Sequence, residues 1–119
     1  MEKEMLNWRD YRSNVKKRVG DLSKLAPEAI KGYMALATSG EKATYLDGKT
    51  RELISLAVAV TTKCDGCIAS HVEAAIKFGA SKEELAEALG VAIAMNAGAA
   101  LVYSARTMDC FDEMTRAAS

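Results

Sequence analysis

The sequence has little of several residue types, and these shortages limit what the chain can be. Its 119 residues include one proline and one histidine, and 16 basic residues balance 16 acidic ones, so the formal net charge is zero. Because neither sign of charge is in excess, bulk electrostatics indicates neither a nucleic acid nor an anionic membrane surface as a partner. The length predicts one domain, over residues 1–119, with a single core.

Long apolar runs are also missing. No uninterrupted apolar segment reaches the roughly 18 residues that a membrane-spanning helix needs. The first residues, Met1-Glu2-Lys3-Glu4-Met5, carry acids where a secretory signal has a basic region and then an apolar run. We therefore expect a cytoplasmic protein without a membrane partner. Three cysteines in a reducing compartment argue against a structural disulfide framework, and a CxxC pair there is typical of redox or metal chemistry.

The reactive residues are concentrated in one stretch, Cys64-Asp65-Gly66-Cys67-Ile68-Ala69-Ser70-His71. On an α-helix, Cys64, Cys67 and His71 fall within an arc of roughly 60°, so both sulfurs and the imidazole share one face. A helix start favours the thiolate, and His71 lies one turn beyond Cys67 as a proton acceptor. If the chain performs chemistry, we expect it here.

Apolar periodicity predicts helices along the whole chain and a compact, single-domain, all-α bundle of about six helices. Ser39-Gly40-Glu41-Lys42 breaks the pattern, Ser81 and Glu84 predict a capping box, and the small-residue stretch 94–100 either interrupts a helix or permits close packing. No repeat and no βαβ pattern appears, which argues against a thioredoxin-like sheet. The predicted helices span residues 3–19 (ended by Gly20), 27–38 (begun by Pro27), 47–62 (capped by Asp47), 65–78 (ended by Gly79), 82–93 and 101–111.

The helix over residues 47–62 is apolar on nearly every side, so we expect residues 49–61 to be the most buried segment. Its β-branched residues leave a strand over 56–62 as the alternative. Inner faces of other helices are expected to carry Ile30, Tyr33, Met34, Ala37, Leu85, Leu89, Ala92 and Ile93. Glu52 stands at the polar start of the central helix, where a carboxylate avoids burial unless it has a partner, and His71 is the candidate partner.

Glu52, followed by Cys64-x-x-Cys67-x-x-x-His71 and the helix start at Ser81, resembles the AhpD-like alkylhydroperoxidase group of the carboxymuconolactone decarboxylase family over about residues 46–113. The resemblance implies an all-α homo-oligomer, a trimer or hexamer, that reduces hydroperoxides. It implies an external dithiol reductant, either a thiol or a lipoyl protein, and no tightly bound cofactor or metal. One position departs from the pattern, because Gly66 stands where the best-known members have a second histidine.

From the residues and the resemblance together, Cys67 is predicted to attack, Cys64 to resolve, and Glu52 to orient His71. Two other functions remain open: a decarboxylase-like lyase, which does not need the cysteine pair, and a non-catalytic redox-sensing or zinc-holding oligomer. Cys110, the fourth ligand that zinc would require, is expected to be a small side chain at least half-buried, and Tyr103 a core residue. Met95, Met108 and Met114 fit gap filling or a subunit interface.

Overall fold

The fold consists of five α-helices and one 3₁₀ turn, and the part of the chain that the structure describes contains no β-strand. The computed structural model describes residues 3–117. These elements confirm the predicted all-α fold and exclude the strand alternative over 56–62. The helices are α1 (Trp8–Leu25), α2 (Pro27–Ala37), α3 (Gly48–Thr62), α4 (Asp65–Lys77) and α5 (Lys82–Thr115), with the 3₁₀ turn at Ser39–Lys42.

Helix α1 begins and ends later than predicted. Asn7 is its N-cap and accepts a hydrogen bond from the backbone N–H of Asp10, so residues 3–6 lie outside the helix. Gly20 does not end it, because a glycine inside a helix costs only about 1 kcal/mol and the hydrogen-bond ladder continues to the turn before Pro27. Pro27 then starts α2 at its first position, as predicted.

The ends of α3 and α4 follow the predicted capping residues. Asp47 accepts the backbone N–H of Thr50 at 2.8 Å and caps α3. Helix α4 ends where Gly79 takes a φ of 83°, a left-handed conformation that glycine adopts without steric cost. Helix α5 begins with the predicted capping box, which is confirmed. Ser81 Oγ accepts the N–H of Glu84, and the Glu84 side chain accepts the N–H of Ser81.

Of the two alternatives for residues 94–100, the interruption is excluded, since one helix runs for 34 residues from Lys82 to Thr115. Alanine has the highest helix propensity, so a stretch of alanines with a single Gly98 sustains the helix rather than breaking it. By length and apolar composition α5 could also cross a membrane. The core helix of a soluble protein meets the same criterion but is mostly buried, whereas 6% of the apolar window of α5 is buried.

Helix α3 lies at the centre, in contact with both α4 and α5. Lys49 pairs with Glu84 at 2.8 Å, and Thr61 Oγ1 accepts a hydrogen bond from Asn96 at 2.9 Å. The contact further along α3, at Thr61, is also the contact further along α5, at Asn96, so the two helices run parallel. Helix α3 ends at Thr62, so α5 continues alone beyond residue 97.

Burial departs from several expectations. Residues 49–61 are not buried on every side, because Ile54 and Val58 are 48% and 55% exposed, and residues 66–75 of α4 are at least as buried. Within the described chain the buried apolar residues are Leu56, Ala59, Ala69, Ala75 and Ala92. The cause is the position of the helices: α2 contacts only α1 and the 3₁₀ turn, and the second half of α5 extends past α3. The residues expected to face inward but found exposed are therefore Tyr33, Met34, Ala37, Tyr103 and Cys110. Ile93 is exposed as well, because it points about 100° away from its neighbour Ala92, which is buried.

Candidate functional site

The two cysteines of the CxxC motif lie at the junction of α3 and α4, where they form a disulfide bond. Their Cα atoms are 5.2 Å apart, within the range that a disulfide spans. Cys64 is the N-cap residue of α4, and its sulfur accepts a hydrogen bond from the backbone N–H of Cys67 at 3.2 Å. A sulfur in this position takes the place of a capping oxygen, and when reduced it is favoured as the thiolate.

One residue, Lys63, links the end of α3 to Cys64. Its backbone is left-handed, with φ 58° and ψ 53°, and it is the only non-glycine with a positive φ in residues 3–117. The next N–H, that of Cys64, bonds back to the carbonyl of Ala59 at 3.1 Å. The sequence reasoning did not identify Lys63; its signal was the two-residue gap between the helices predicted over 47–62 and 65–78.

Glu52 of α3 and His71 of α4 form the second pair of the site. The Nδ1 of His71 lies 2.6 Å from Oε2 of Glu52, which confirms the predicted contact between them. The Glu52 side chain is 16% exposed and the His71 side chain 39% exposed, so the carboxylate is the more buried partner. Because a carboxylate only accepts, a neutral imidazole bonded to it carries its proton on Nδ1, and Nε2 is left free to accept one.

The structure brings the four predicted residues to neighbouring positions but joins them in two separate pairs. His71 follows Cys67 by one turn on α4, and the imidazole makes no hydrogen bond to either sulfur in the described residues. This arrangement supplies a disulfide that an external thiol can open, and beside it a base whose orientation is fixed by a carboxylate. The individual catalytic roles remain predictions.

Gly66 lies away from the face that carries this chemistry. A Cβ built on Gly66 would meet Val15 of α1 at 3.6 Å, an ordinary van der Waals distance. On α4, position 66 points roughly 130° from the centre of the arc that holds Cys64, Cys67 and His71. A side chain at this position therefore projects towards α1 and away from Glu52, so the glycine removes no group from the Glu52–His71 pair.

Two further features lie outside the site. Cys110 is an exposed free thiol on α5, and the described residues contain no group of three or more metal-ligating side chains. A cavity of about 600 Å³ lies between α1 and the side of α4 that carries Val72 and Glu73, and none of the four predicted residues lines it. There a hydrogen bond from Lys77 and the charge of Arg12 lower the pKa of Glu73 below its ordinary value.

Comparison with curated proteins finds relatives that match most of this chain, and their names attach no reaction to it. An uncharacterised protein of Haemophilus influenzae is 50% identical over 105 residues, which are 88% of this chain and 93% of that protein. Uncharacterised protein 4 in the cox locus of Paracoccus denitrificans is 34% identical over 96 residues, 81% of this chain and 86% of that protein.

Comparison with solved structures and family models assigns the fold. A crystal structure of an apo carboxymuconolactone decarboxylase family protein from Legionella pneumophila is similar with a TM-score of 0.70 and 35% identity, and the match covers 92% of this chain and 97% of that one. The model of the carboxymuconolactone decarboxylase family matches residues 27–109, which include α3, α4 and most of α5. The chain therefore belongs to the carboxymuconolactone decarboxylase family.

Proposed function

We propose that the protein is a thiol-dependent hydroperoxide reductase that cycles Cys64 and Cys67 between dithiol and disulfide. The observation that carries the proposal is the disulfide at the start of α4 with the Glu52–His71 pair one turn away. The decarboxylase alternative explains the fold equally well but gives the two sulfurs no part. A zinc-holding role would need a fourth ligand, and Cys110 lies on α5, a helix that does not contact α4 in the described residues.

In the first step the reduced Cys67 thiolate attacks the terminal oxygen of the hydroperoxide. The O–O bond breaks, Cys67 becomes a sulfenic acid and the alcohol leaves with a proton. His71 accepts the thiol proton of Cys67 on Nε2 and returns it to the leaving alkoxide, and Glu52 holds the imidazole in the required tautomer and stabilises its charged form.

In the second step the Cys64 thiol condenses with the sulfenic acid. The S–S bond forms and one water leaves, so the protein reaches the disulfide seen in the structure. A dithiol from outside then opens this bond by two exchanges and is itself oxidised to a disulfide. We propose a small dithiol or a protein-bound lipoyl group as this donor, since two thiols in one molecule complete both exchanges without a third partner.

The two sulfurs differ in the groups that lie next to them. In the disulfide form the sulfur of Cys64 accepts a hydrogen bond from the N–H of Cys67, whereas Cys67 has His71 in the next turn. After reduction each sulfur therefore has its own means of stabilising a thiolate. The assignment of Cys67 as the attacking sulfur therefore rests on the proximity of a proton acceptor rather than on the helix start.

The test is a turnover assay of the purified protein with a panel of hydroperoxides and with dihydrolipoamide or dithiothreitol as reductant. We expect peroxide consumption to match reductant oxidation one to one, and the Cys67→Ser variant to be inactive. A zinc determination on the same sample separates the proposal from a zinc-holding role. Consumption that is equally fast in Cys67→Ser, or no consumption with any pair of substrates, would refute the peroxidase proposal.

A further inference from the structure

Two helices of this fold end at a left-handed backbone, and the two positions carry different residues. Gly79 follows α4 with a φ of 83°, and Lys63 follows α3 with a φ of 58°. Glycine adopts this conformation without steric cost, whereas the Cβ of a lysine makes it less favourable. A Cβ at Gly79 would meet no atom within 4 Å, so lack of space is not why that position carries a glycine. At Lys63 the chain therefore keeps a side chain where glycine would fit the backbone better.

The main chain of Lys63 holds the end of α3, and its side chain takes no part in this. The N–H groups of Lys63 and Cys64 both bond to the carbonyl of Ala59. Lys63 is exposed, and its ammonium group forms no ion pair with any residue in the described part of the chain. What the side chain brings to this position is therefore a positive charge that no carboxylate neutralises by direct contact.

This charge stands next to a sulfur of the disulfide. Lys63 directly precedes Cys64, whose sulfur caps α4 and accepts the N–H of Cys67 at 3.2 Å. Neighbouring Cα atoms are about 3.8 Å apart, so the flexible lysine stem allows its ammonium group within about 8 Å of the Cys64 sulfur. A Cys64 thiolate is thus favoured by two separate groups, the start of α4 and the lysine.

From these observations we propose that Lys63 acts through Cys64 in the reduction of the disulfide: its ammonium group stabilises the Cys64 thiolate and makes Cys64 the leaving sulfur. The inference rests on the proposed cycle of Cys64 and Cys67 but not on a hydroperoxide as the oxidant. A unit charge at about 8 Å in water changes an equilibrium constant about two- to threefold, and this is the size of the effect that we expect.

In the first exchange a thiolate of the external dithiol attacks the sulfur of Cys67. The Cys64–Cys67 bond breaks, and its electron pair stays on Cys64 as a thiolate. The second thiol of the donor then loses its proton to solvent and attacks the donor sulfur of the mixed disulfide, so that Cys67 leaves and takes up a proton. The donor becomes a disulfide and the protein gains two electrons. Because a thiol of lower pKa leaves faster, the lysine promotes the first exchange.

The elements around Cys64 carry charges of both signs. Asp65, in the first turn of α4, is negative and disfavours a thiolate at its neighbour. Glu52 of α3 and His71 of α4 pair with each other. The cations of α1 that act on α4 do so at Glu73, more than two turns beyond Cys64. Replacement of Asp65 should therefore have the opposite effect to replacement of the lysine.

The first experiment measures the equilibrium between the oxidised protein and mixtures of dihydrolipoamide and lipoamide, with the reduced fraction read from intact mass after alkylation. It is run at pH 9, where an ordinary cysteine is mostly thiolate and lysine keeps its charge. In about 10 mM salt, Lys63→Gln and Lys63→Gly should each lower the equilibrium constant for reduction about two- to threefold, and Lys63→Arg should match wild type. Asp65→Asn should raise it. In about 1 M salt the differences should disappear, because the screening length falls to about 3 Å.

The second experiment titrates Cys64 alone, in a protein that also carries Cys67→Ser and Cys110→Ser. The rate of alkylation by iodoacetamide follows the thiolate fraction, so its pH midpoint gives the pKa of Cys64. Lys63→Gln and Lys63→Gly should both raise that pKa, whereas Lys63→Arg should leave it at the parent value. Lys63→Gly should also keep or raise the thermal midpoint, because glycine fits the left-handed backbone.

Equal equilibrium constants for wild type and Lys63→Gln in low salt would overturn the inference. So would an effect of Lys63→Gly that Lys63→Gln does not share, since that result assigns the change to the backbone and not to the charge. Failure of the proposed function looks different. A protein that consumes no peroxide still reaches an equilibrium with dihydrolipoamide, and the effect of Lys63 on that equilibrium is still measured.

Discussion

The Oε2 of Glu52 and the Nδ1 of His71 are 2.6 Å apart, although 19 positions separate the two residues in the sequence. The contact joins α3, which carries Glu52, to α4, which carries both His71 and Cys67, so it fixes the orientation of the imidazole on α4. A carboxylate that accepts the Nδ1 proton does two things at once: it orients the ring, and it stabilises the charge that the ring gains when Nε2 accepts a proton.

Replacement of Glu52 separates these two contributions. Glu52→Gln keeps an acceptor for the Nδ1–H but removes the charge, whereas Glu52→Ala removes both. We expect Glu52→Ala and His71→Ala to slow sulfenic acid formation by about 10² to 10⁴, the usual cost of losing a general base, and Glu52→Gln to lie between them and wild type. Stopped-flow measurement of a single peroxide turnover checks the order. Glu87→Gln, an exposed substitution on α5, serves as the control and should match wild type.

Variants that lack one cysteine of the CxxC pair test the roles of the two sulfurs. Cys64→Ser should consume about one equivalent of peroxide and accumulate a sulfenic acid at Cys67, because the thiol that condenses with it in the proposed cycle is missing. Cys67→Ser should not react. Trapping with dimedone followed by intact-mass measurement distinguishes the variants. If the probe labels Cys67→Ser instead, Cys64 is the attacking sulfur, which its capping position at the start of α4 would then explain.

Cys110 is expected to be dispensable for turnover. It lies on α5, exposed and outside the disulfide pair, and the proposed cycle needs two sulfurs only. Cys110→Ser should therefore keep most of the peroxide-reducing rate measured with dihydrolipoamide. A folded but inactive Cys110→Ser variant would show that the third thiol takes part in resolving the sulfenic acid.

A side chain at position 66 should fit without improving catalysis. The space beside Gly66 accepts a Cβ at van der Waals distance from Val15, so we expect Gly66→Ala to fold and to turn over peroxide like wild type. Gly66→His should also bring no gain in rate, because position 66 faces α1 rather than Glu52. Parallel assays and thermal unfolding of both variants check this. A clear gain in rate for Gly66→His would mean that its imidazole reaches the sulfurs.

The Lys49–Glu84 pair gives the fold a dependence on pH. A hydrogen bond from Lys49, with that from the backbone of Ser81, lowers the pKa of Glu84 below its ordinary value of 4.5. Because the folded-state pKa lies below the unfolded one, the stabilisation is complete above about pH 4.5 and is lost as the pH falls through the folded-state pKa.

Glu84→Gln should therefore lower the thermal midpoint at pH 7, and the gap to wild type should narrow as the pH falls below 4.5. All measurements are made at one protein concentration, because the midpoint of a protein that associates depends on its concentration. Glu83→Gln is the matched control: it lies in the same first turn of α5 but has no contact with Lys49. A gap that stays constant between pH 7 and pH 3 would contradict the role of this ion pair.

The sequence was informative where one residue determines a local geometry. Asp47, Ser81 and Gly79 marked helix ends correctly, because capping needs a particular side chain or a left-handed backbone at one position. The Glu52–His71 contact could also be anticipated, since a carboxylate beside an apolar helix needs a partner and the chain has one histidine.

Burial was harder to predict because periodicity identifies an apolar face but not the element that covers it. Tyr103 repeats the pattern that makes Ala92 a buried residue, yet α3 reaches only one of them. Gly20 was expected to end a helix, and the small residues around Gly98 were one candidate for an interruption, yet both helices continue. A single glycine costs a helix only about 1 kcal/mol, and alanine favours it.

The short link at Lys63 makes the spacing between α3 and α4 intolerant of insertions. One residue in the left-handed region reverses the chain direction between the last residue of α3 and the cap of α4. An added residue there would turn α4 by about 100° about its axis relative to α3 if the helix kept its contacts. Such a turn would carry His71 out of reach of Glu52, so natural length variation in relatives is expected at the loop between α4 and α5 and not at this junction.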